Sequence, residues 1–182
     1  ALTFLALTAP VRAADDPVTP VAGLYRLLME TMQQAQELGV KGRFDKLAPV
    51  LAVTYAIPSM AKMSVGPSWD QLQPQQQTSI ADAFTSMMVA NYASRFDGYS
   101  GEKFEITPPT DQGADKLVKT AIVQSNGKSI PLNYVMRNGA AGWRVVDVYL
   151  DGTISELASR RAEFSSILKS GGPDALITSL RQ

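Results

Sequence analysis

Asp147 is the side chain best placed to do chemistry. It stands in the run Trp143-Arg-Val-Val-Asp147-Val-Tyr-Leu, between Val145, Val146 and Val148. A carboxyl desolvated by such neighbours holds its proton more tightly and can act as a base, with a tyrosine as the acid. The same Asp can instead be a structural anion paired with Arg161 or Arg160. Asp151 reads most simply as a turn residue. The methionines form a second group. Six of the seven, Met29, Met32, Met60, Met63, Met87 and Met88, fall on segments of helical period. Their flexible, polarizable side chains suit a cavity for varied alkyl chains, and they suit an ordinary core as well. Tyr25, Tyr55, Tyr92, Tyr134 and Tyr149 can present hydroxyls at a cavity mouth or lie buried with the hydroxyl bonded. Arg160, Arg161 and Lys169 can meet an anionic head group, or form a solvated helix face that complements the helix dipole.

The absences are as informative. The chain has 0 His and 0 Cys. Ser-His-Asp and Cys-His sites, zinc sites with His or Cys ligands, Fe–S clusters and disulfides are excluded. Lys+Arg is 17 and Asp+Glu is 17, so no net charge draws the chain toward nucleic acid. No phosphate loop, dinucleotide fingerprint or EF-hand loop occurs, and no carboxylate spacing supports a cation site. The sequence implies no metal and no cofactor. At 182 residues and 45% hydrophobic content, it specifies one globular domain.

The elements that position these residues divide into two halves. Residues 17–98 read as helices. Val21, Leu24, Leu28, Met32, Ala35 and Leu38 make one apolar stripe that Gly39 ends. Phe44, Leu47 and Leu51 make a shorter helix, bent near Pro49. Pro58 starts another, which carries Met60 and Met63. Pro74 opens the longest, with Ile80, Phe84, Met87, Met88, Tyr92 and Phe96 near one face, and Gly98 closes it. Residues 103–150 read as a four-stranded antiparallel meander over 103–107, 117–124, 130–136 and 143–150. Asn126-Gly127 marks a two-residue hairpin. Thr153-x-x-Glu156 reads as a capping box that opens a further helix, which Gly171-Gly172 stops. A last short helix starts at Pro173. The expected fold is α+β, with helices packed on one face of an antiparallel four-stranded sheet and an apolar cavity between them.

Residues 1–13 look like the tail of a secretory signal, an apolar run followed by Val11-x-Ala13 at the cleavage position. The expected mature domain is 14–182. No later apolar run reaches the ~18 residues that a membrane span needs. The expected compartment is the periplasm of a Gram-negative bacterium.

The C-terminal third carries the most specific pattern. Trp143-Arg-Val-Val-Asp147 leads through Asp151-Gly152 to Arg161-Ala-Glu-Phe164, then to Leu168, Gly172, Leu176-Ile177 and Leu180. With the Gly66-x-x-Trp69 and Pro74–Tyr92 segments, this resembles the MlaC-like periplasmic lipid carriers. These are also called toluene-tolerance auxiliary proteins and include the hopanoid-associated HpnM branch. The pattern departs at Ser159 and Arg160, where the family often has Asn and Tyr. The resemblance implies a helix-over-sheet fold with a deep apolar cavity. It also implies transport of a membrane lipid, phospholipid or hopanoid, between an inner-membrane ABC transporter complex and an outer-membrane complex. The physical demand on such a carrier is large. Exposing on the order of 30 methylenes to water costs about 24 kcal/mol at ~0.8 kcal/mol each.

On this reading the cavity is lined by Tyr25, Leu28, Met32, Met60, Met63, Phe84, Met88, Tyr92, Tyr134, Met136 and Val146. Trp143, Asp147, Asp151, Gly152, Arg161 and Phe164 are structural, with an Asp147–Arg161 ion pair fixing a helix to the sheet. The protein is expected to be monomeric and not an enzyme. Two alternatives stay open. One is a cone-shaped α+β enzyme using Asp147 and a Tyr on an apolar substrate. The other is a solid-cored scaffold. A catalytic Asp147 must face the cavity, and a scaffold must lack the cavity.

Overall fold

The computed structural model describes residues 16–182; the predicted signal remnant lies outside them. The first helix, α1 (Val18–Gln33), begins where the Asp16 carboxylate accepts the backbone N–H of Val18 at 2.9 Å. It buries Val21, Leu24, Tyr25, Leu28 and Met32, one stripe of helical period. Gln34 separates it from α2 (Ala35–Thr54), which is broken at Gly39 and retains Pro49 in its interior. The single stripe expected through Leu38 is thus shared by two helices. α3 (Ile57–Val65) carries Pro58 in its first turn, where no backbone donor is lost. A 3-10 turn (Gly66–Gln71) leads to α4 (Pro74–Arg95), which opens on a reciprocal Gln73–Gln76 capping box.

Arg43 is a buried cation whose partners are backbone carbonyls. Its Nη1 donates to the Ala35 carbonyl at 2.8 Å, and its Nε donates to that of Ala93 at 2.7 Å. It fastens the kinked start of α2 to the last turn of α4, and those bonds offset its desolvation.

The sheet has six antiparallel strands where four were expected: β1 (Lys103–Ile106), β2 (Thr110–Gln112), β3 (Asp115–Val123), β4 (Ser129–Gly139), β5 (Gly142–Leu150) and β6 (Ile154–Ser155). The order is β1-β3-β4-β5-β6, with β2 also paired to β3. β2 and β6 are too short to show alternation. The β3–β4 turn uses three residues, Ser125–Gly127, closed by Gln124 and Lys128, where two were expected. α5 (Glu156–Leu180) completes the chain. It is kinked at Gly172, so the predicted stop there is a bend.

The helices cover one face of the sheet. The Ala56 N–H donates to the Val145 carbonyl at 2.9 Å, and the Tyr25 hydroxyl bonds Thr120 across the layers. The other face exposes Lys103, Glu105 and Lys119. Between β4 and β5 the register shifts. Met136 pairs with Val145 and Val135 with Asp147, leaving Val146 as the extra residue of a β-bulge. Val145 and Val148, three residues apart, therefore both join the core. Strict alternation along β5 predicts otherwise.

Candidate functional site

A cavity of about 530 Å³ lies between the helices and the sheet. From the helical layer it is lined by Met32, Met60, Met88, Tyr92 and Phe96, joined by Tyr55 just beyond α2. From the sheet come three cross-strand pairs: Ile122 with Ile130, Leu132 with Leu150, and Tyr134 with Val148. Each pair sets two apolar side chains side by side on the helix-facing surface. The rim is polar. It includes Asn91, Arg95, Asp97, Ser100, Glu102, Gln124, Asp151 and Glu156. An apolar interior under a polar mouth can take a hydrocarbon chain and leave a polar group in water.

Tyrosines brace this space. The Tyr55 and Tyr92 hydroxyls bond each other. The Thr120 hydroxyl donates to the Leu132 carbonyl, so the Tyr25 hydroxyl is the donor to Thr120. The Tyr25 ring stacks on Phe104 at 4.4 Å and meets Tyr134 edge-on at 5.9 Å, while Tyr92 stacks on Phe96 at 5.6 Å. Burial pushes the Tyr25, Tyr55, Tyr92 and Tyr134 hydroxyls well above the usual phenol range. They stay protonated at physiological pH and serve as hydrogen-bonding posts.

Asp147 is committed elsewhere. Its Oδ1 accepts the N–H of Val148 at 2.8 Å and of Leu157 at 3.1 Å, and its Oδ2 accepts the Ser155 hydroxyl at 2.6 Å. Ser155 in turn accepts the Ala158 N–H at 3.0 Å. Two orphan donors of the first turn of α5 are thereby satisfied, one by Ser155 and one by Asp147. This replaces the capping box expected from Thr153 and Glu156; Thr153 lies in the preceding turn. The expected Asp147–Arg161 ion pair does not occur. Arg160 instead reaches Glu156 at 3.6 Å and Glu163 at 3.2 Å. The Arg161 guanidinium lies over Gly66, where a Cβ would come within 2.8 Å of its Nε. At the β5–β6 turn, Asp151 and Gly152 both have positive φ, 49° and 77°. The Gly152 carbonyl accepts from Asn133 Nδ2 at 3.0 Å, which ties this turn to β4.

A family model described as MlaC protein matches residues 24–182. The chain belongs to the MlaC family. No curated protein matches it significantly. Among solved structures it is similar to the phospholipid-binding protein from Ralstonia solanacearum in complex with a phospholipid. That similarity has a TM-score of 0.80 at 20% identity and covers 91% of this chain and 94% of the other. It shows that the fold is shared.

In this MlaC-family chain five of the eleven residues expected at the cavity stand in its wall: Met32, Met60, Met88, Tyr92 and Tyr134. Tyr25, Leu28, Phe84 and Met136 are packed in the buried core. Met63 is half-buried against that core. Val146 sits in the bulge, and Val148 takes the position expected of it. Trp143 and Phe164 pack with the core. Asp151 is at the cavity mouth as well as in its turn. Tyr55, Phe96, Ile122, Ile130, Leu132, Val148 and Leu150 were missed as lining. Phe96 lies on the apolar stripe of α4 and Leu132 on the Tyr134 face, so periodicity held the signal for both. Nothing in the sequence marks the rim residues Arg95, Asp97, Glu102 and Glu156.

Proposed function

We propose that this protein is a soluble periplasmic lipid carrier that holds the lipid's acyl chains in the cavity. It hands the lipid between an inner-membrane transporter complex and an outer-membrane complex, acting as a monomer. One observation carries this reading: an apolar space of about 530 Å³ is walled by both layers and capped by polar residues in a chain of the MlaC family. The phospholipid-bound Ralstonia solanacearum relative supports phospholipid as the ligand class. The Val11-x-Ala13 site supports export with removal of residues 1–13. Among the described residues no helix is long and apolar enough to cross a membrane. The protein is not an enzyme on this reading. Asp147 is held by three donors at a helix start and is not among the cavity-lining residues, which leaves the cavity tyrosines without that carboxylate as a base. Burying the chains offsets the cost of about 0.8 kcal/mol per exposed methylene.

Native mass spectrometry of protein purified from its own host tests the proposal. A retained phospholipid at one per chain is the expected result. A retained hopanoid would place the protein in the hopanoid-associated branch. Protein that carries no lipid, and takes none from vesicles, would defeat the carrier reading.

A further inference from the structure

We propose that the closed end of the cavity is a polar subsite, built from Tyr55, Tyr92 and Tyr134, that takes a hydroxyl group carried part-way along a lipid's hydrocarbon chain. This rests on the carrier reading and adds to it the class of chain that the cavity prefers.

Both layers place these residues at the far end of the space. Along β4 the wall runs from Ile130, near Gln124 at the rim, through Leu132 to Tyr134. The next residue on that face, Met136, is fully buried in the core. Tyr134 is four residues from Ile130, about 13 Å down the strand at ~3.3 Å per residue. Along α4 the wall runs from Arg95 through Tyr92 to Met88, and one turn further Phe84 is core. A phospholipid's ester carbonyls sit next to its headgroup. With the headgroup at the rim, only hydrocarbon reaches the depth of Tyr134.

Yet that end of the wall is not hydrocarbon. The Tyr55 and Tyr92 hydroxyls bond each other, and the Tyr134 hydroxyl stands among those of Tyr25, Tyr55 and Tyr92. Tyr25 gives its proton to Thr120, and Thr120 gives its own to the Leu132 carbonyl. One proton of the Tyr55–Tyr92 pair lies between those two oxygens. Among the described residues, no carbonyl or carboxylate accepts the other, or that of Tyr134. Each phenol oxygen also keeps acceptor capacity. Donors and acceptors therefore meet on one patch of an otherwise apolar wall. A methylene against this patch satisfies neither, and a buried polar group without a partner is costly. A ligand hydroxyl satisfies both, because it donates one hydrogen bond and accepts others.

The full chain is incubated with vesicles of dioleoyl- and diricinoleoyl-phosphatidylethanolamine in equal parts. The two acyl chains differ only by a mid-chain hydroxyl. The protein is then re-isolated, and the bound lipids are counted by mass spectrometry. The ratio of ricinoleoyl to oleoyl lipid should be about fivefold higher than the ratio for Tyr134→Phe, the worth of one hydrogen bond. Comparison with the variant cancels any readier escape of the hydroxylated lipid from the vesicle. Tyr92→Phe should lower the ratio as well, and it supplies the reference if Tyr134→Phe does not fold. Tyr149→Phe should leave the ratio unchanged, since the Tyr149 hydroxyl accepts from Gln112 and does not line the cavity. The same ratio for the unaltered chain and the folded Phe variants overturns the hydroxyl subsite and leaves the carrier reading intact. A chain that loads neither lipid overturns both.

Discussion

Around Leu28, Phe84 and Phe164 the helices close onto their neighbours, while around Met32, Met88 and Leu132 the same layers stand apart. Both regions are built from apolar side chains of similar size. What differs is where the polar ends lie. At the packed region Phe84 meets Phe164 edge-on at 6.1 Å, and no hydroxyl interrupts that pair. At the hollow one, two wall rings are pinned by their hydroxyls, Tyr55 to Tyr92, and Tyr25, bonded through Thr120 to the sheet, backs the wall ring of Tyr134. A ring held at both ends cannot swing inward to fill a gap without losing a buried hydrogen bond. The comparison teaches that the space is kept open by bonded posts. It forfeits dispersion contacts that a ligand can restore.

The largest expected effect breaks the packed region. Phe164→Ala should cost about 3–5 kcal/mol in a denaturant melt, the usual penalty for emptying a buried aromatic site. Leu132→Ala in the cavity wall should cost about 1 kcal/mol or less, because part of its surroundings is already empty. Similar losses at the two positions would dissolve the distinction between the regions.

Asp147 comes next, since it fixes the start of α5 and so the placement of Glu156 on the rim. Asp147→Ala should cost about 1.5–3 kcal/mol, the range for hydrogen bonds to a charged group. Because Arg161 is not its partner, Asp147→Ala and Arg161→Met should add within about 0.5 kcal/mol in the double variant. Strong coupling between them would restore the ion pair and contradict the geometry.

A smaller effect sharpens the contrast. Phe84→Trp should overpack the core at about 1–3 kcal/mol. Met88→Trp adds bulk toward the void, so its melt should shift by under about 1 kcal/mol while bound lipid is lost. Equal destabilisation by both would mean that the cavity is no more tolerant than the core.

The smallest effect is on the sheet beside Met136. Asp115 accepts two bonds from Arg137, at 2.8 and 2.7 Å, and these hold its carboxyl below the usual carboxylate range. A depressed folded pKa contributes stability above the unfolded value of about 4, lost as pH falls through the lower folded value. The exposed arginine limits it to about 1 kcal/mol or less. Asp115→Asn should therefore lower the melting temperature slightly at pH 7 and not at pH 2, without altering lipid occupancy. A loss that persists at pH 2 would assign the effect to packing.

Much of the fold was legible from local pattern. The helix stripe Val21–Leu28, Pro74 as a helix opener and the turn at Asp151-Gly152 follow from period, proline geometry and backbone freedom. Tyr134 and Met136, expected together on the helix-facing side of their strand, are both buried in the core. The site was less legible. Leu28 and Phe84 share stripes with Met32 and Met88, and periodicity assigns a residue to a face without saying what stands opposite. Val146 illustrates a second limit: one bulge takes it off the face that Val148 and Leu150 line, and no residue type announces it.

By itself the sequence determined which chemistry is absent, because a chain without His and Cys has no such ligands in any fold. It also determined that helices precede a sheet, because 3.6- and 2-residue periods are properties of neighbouring residues. The tertiary structure decided what depends on residues far apart. It gave Asp147 the first turn of α5 in place of Arg161, and it gave Arg43 two carbonyls in place of a carboxylate. It also decided which apolar residues close into a core and which stay apart as a cavity. That last outcome depends on how far the helices sit from the sheet, a distance set by the sum of many packed side chains and bonded tyrosines.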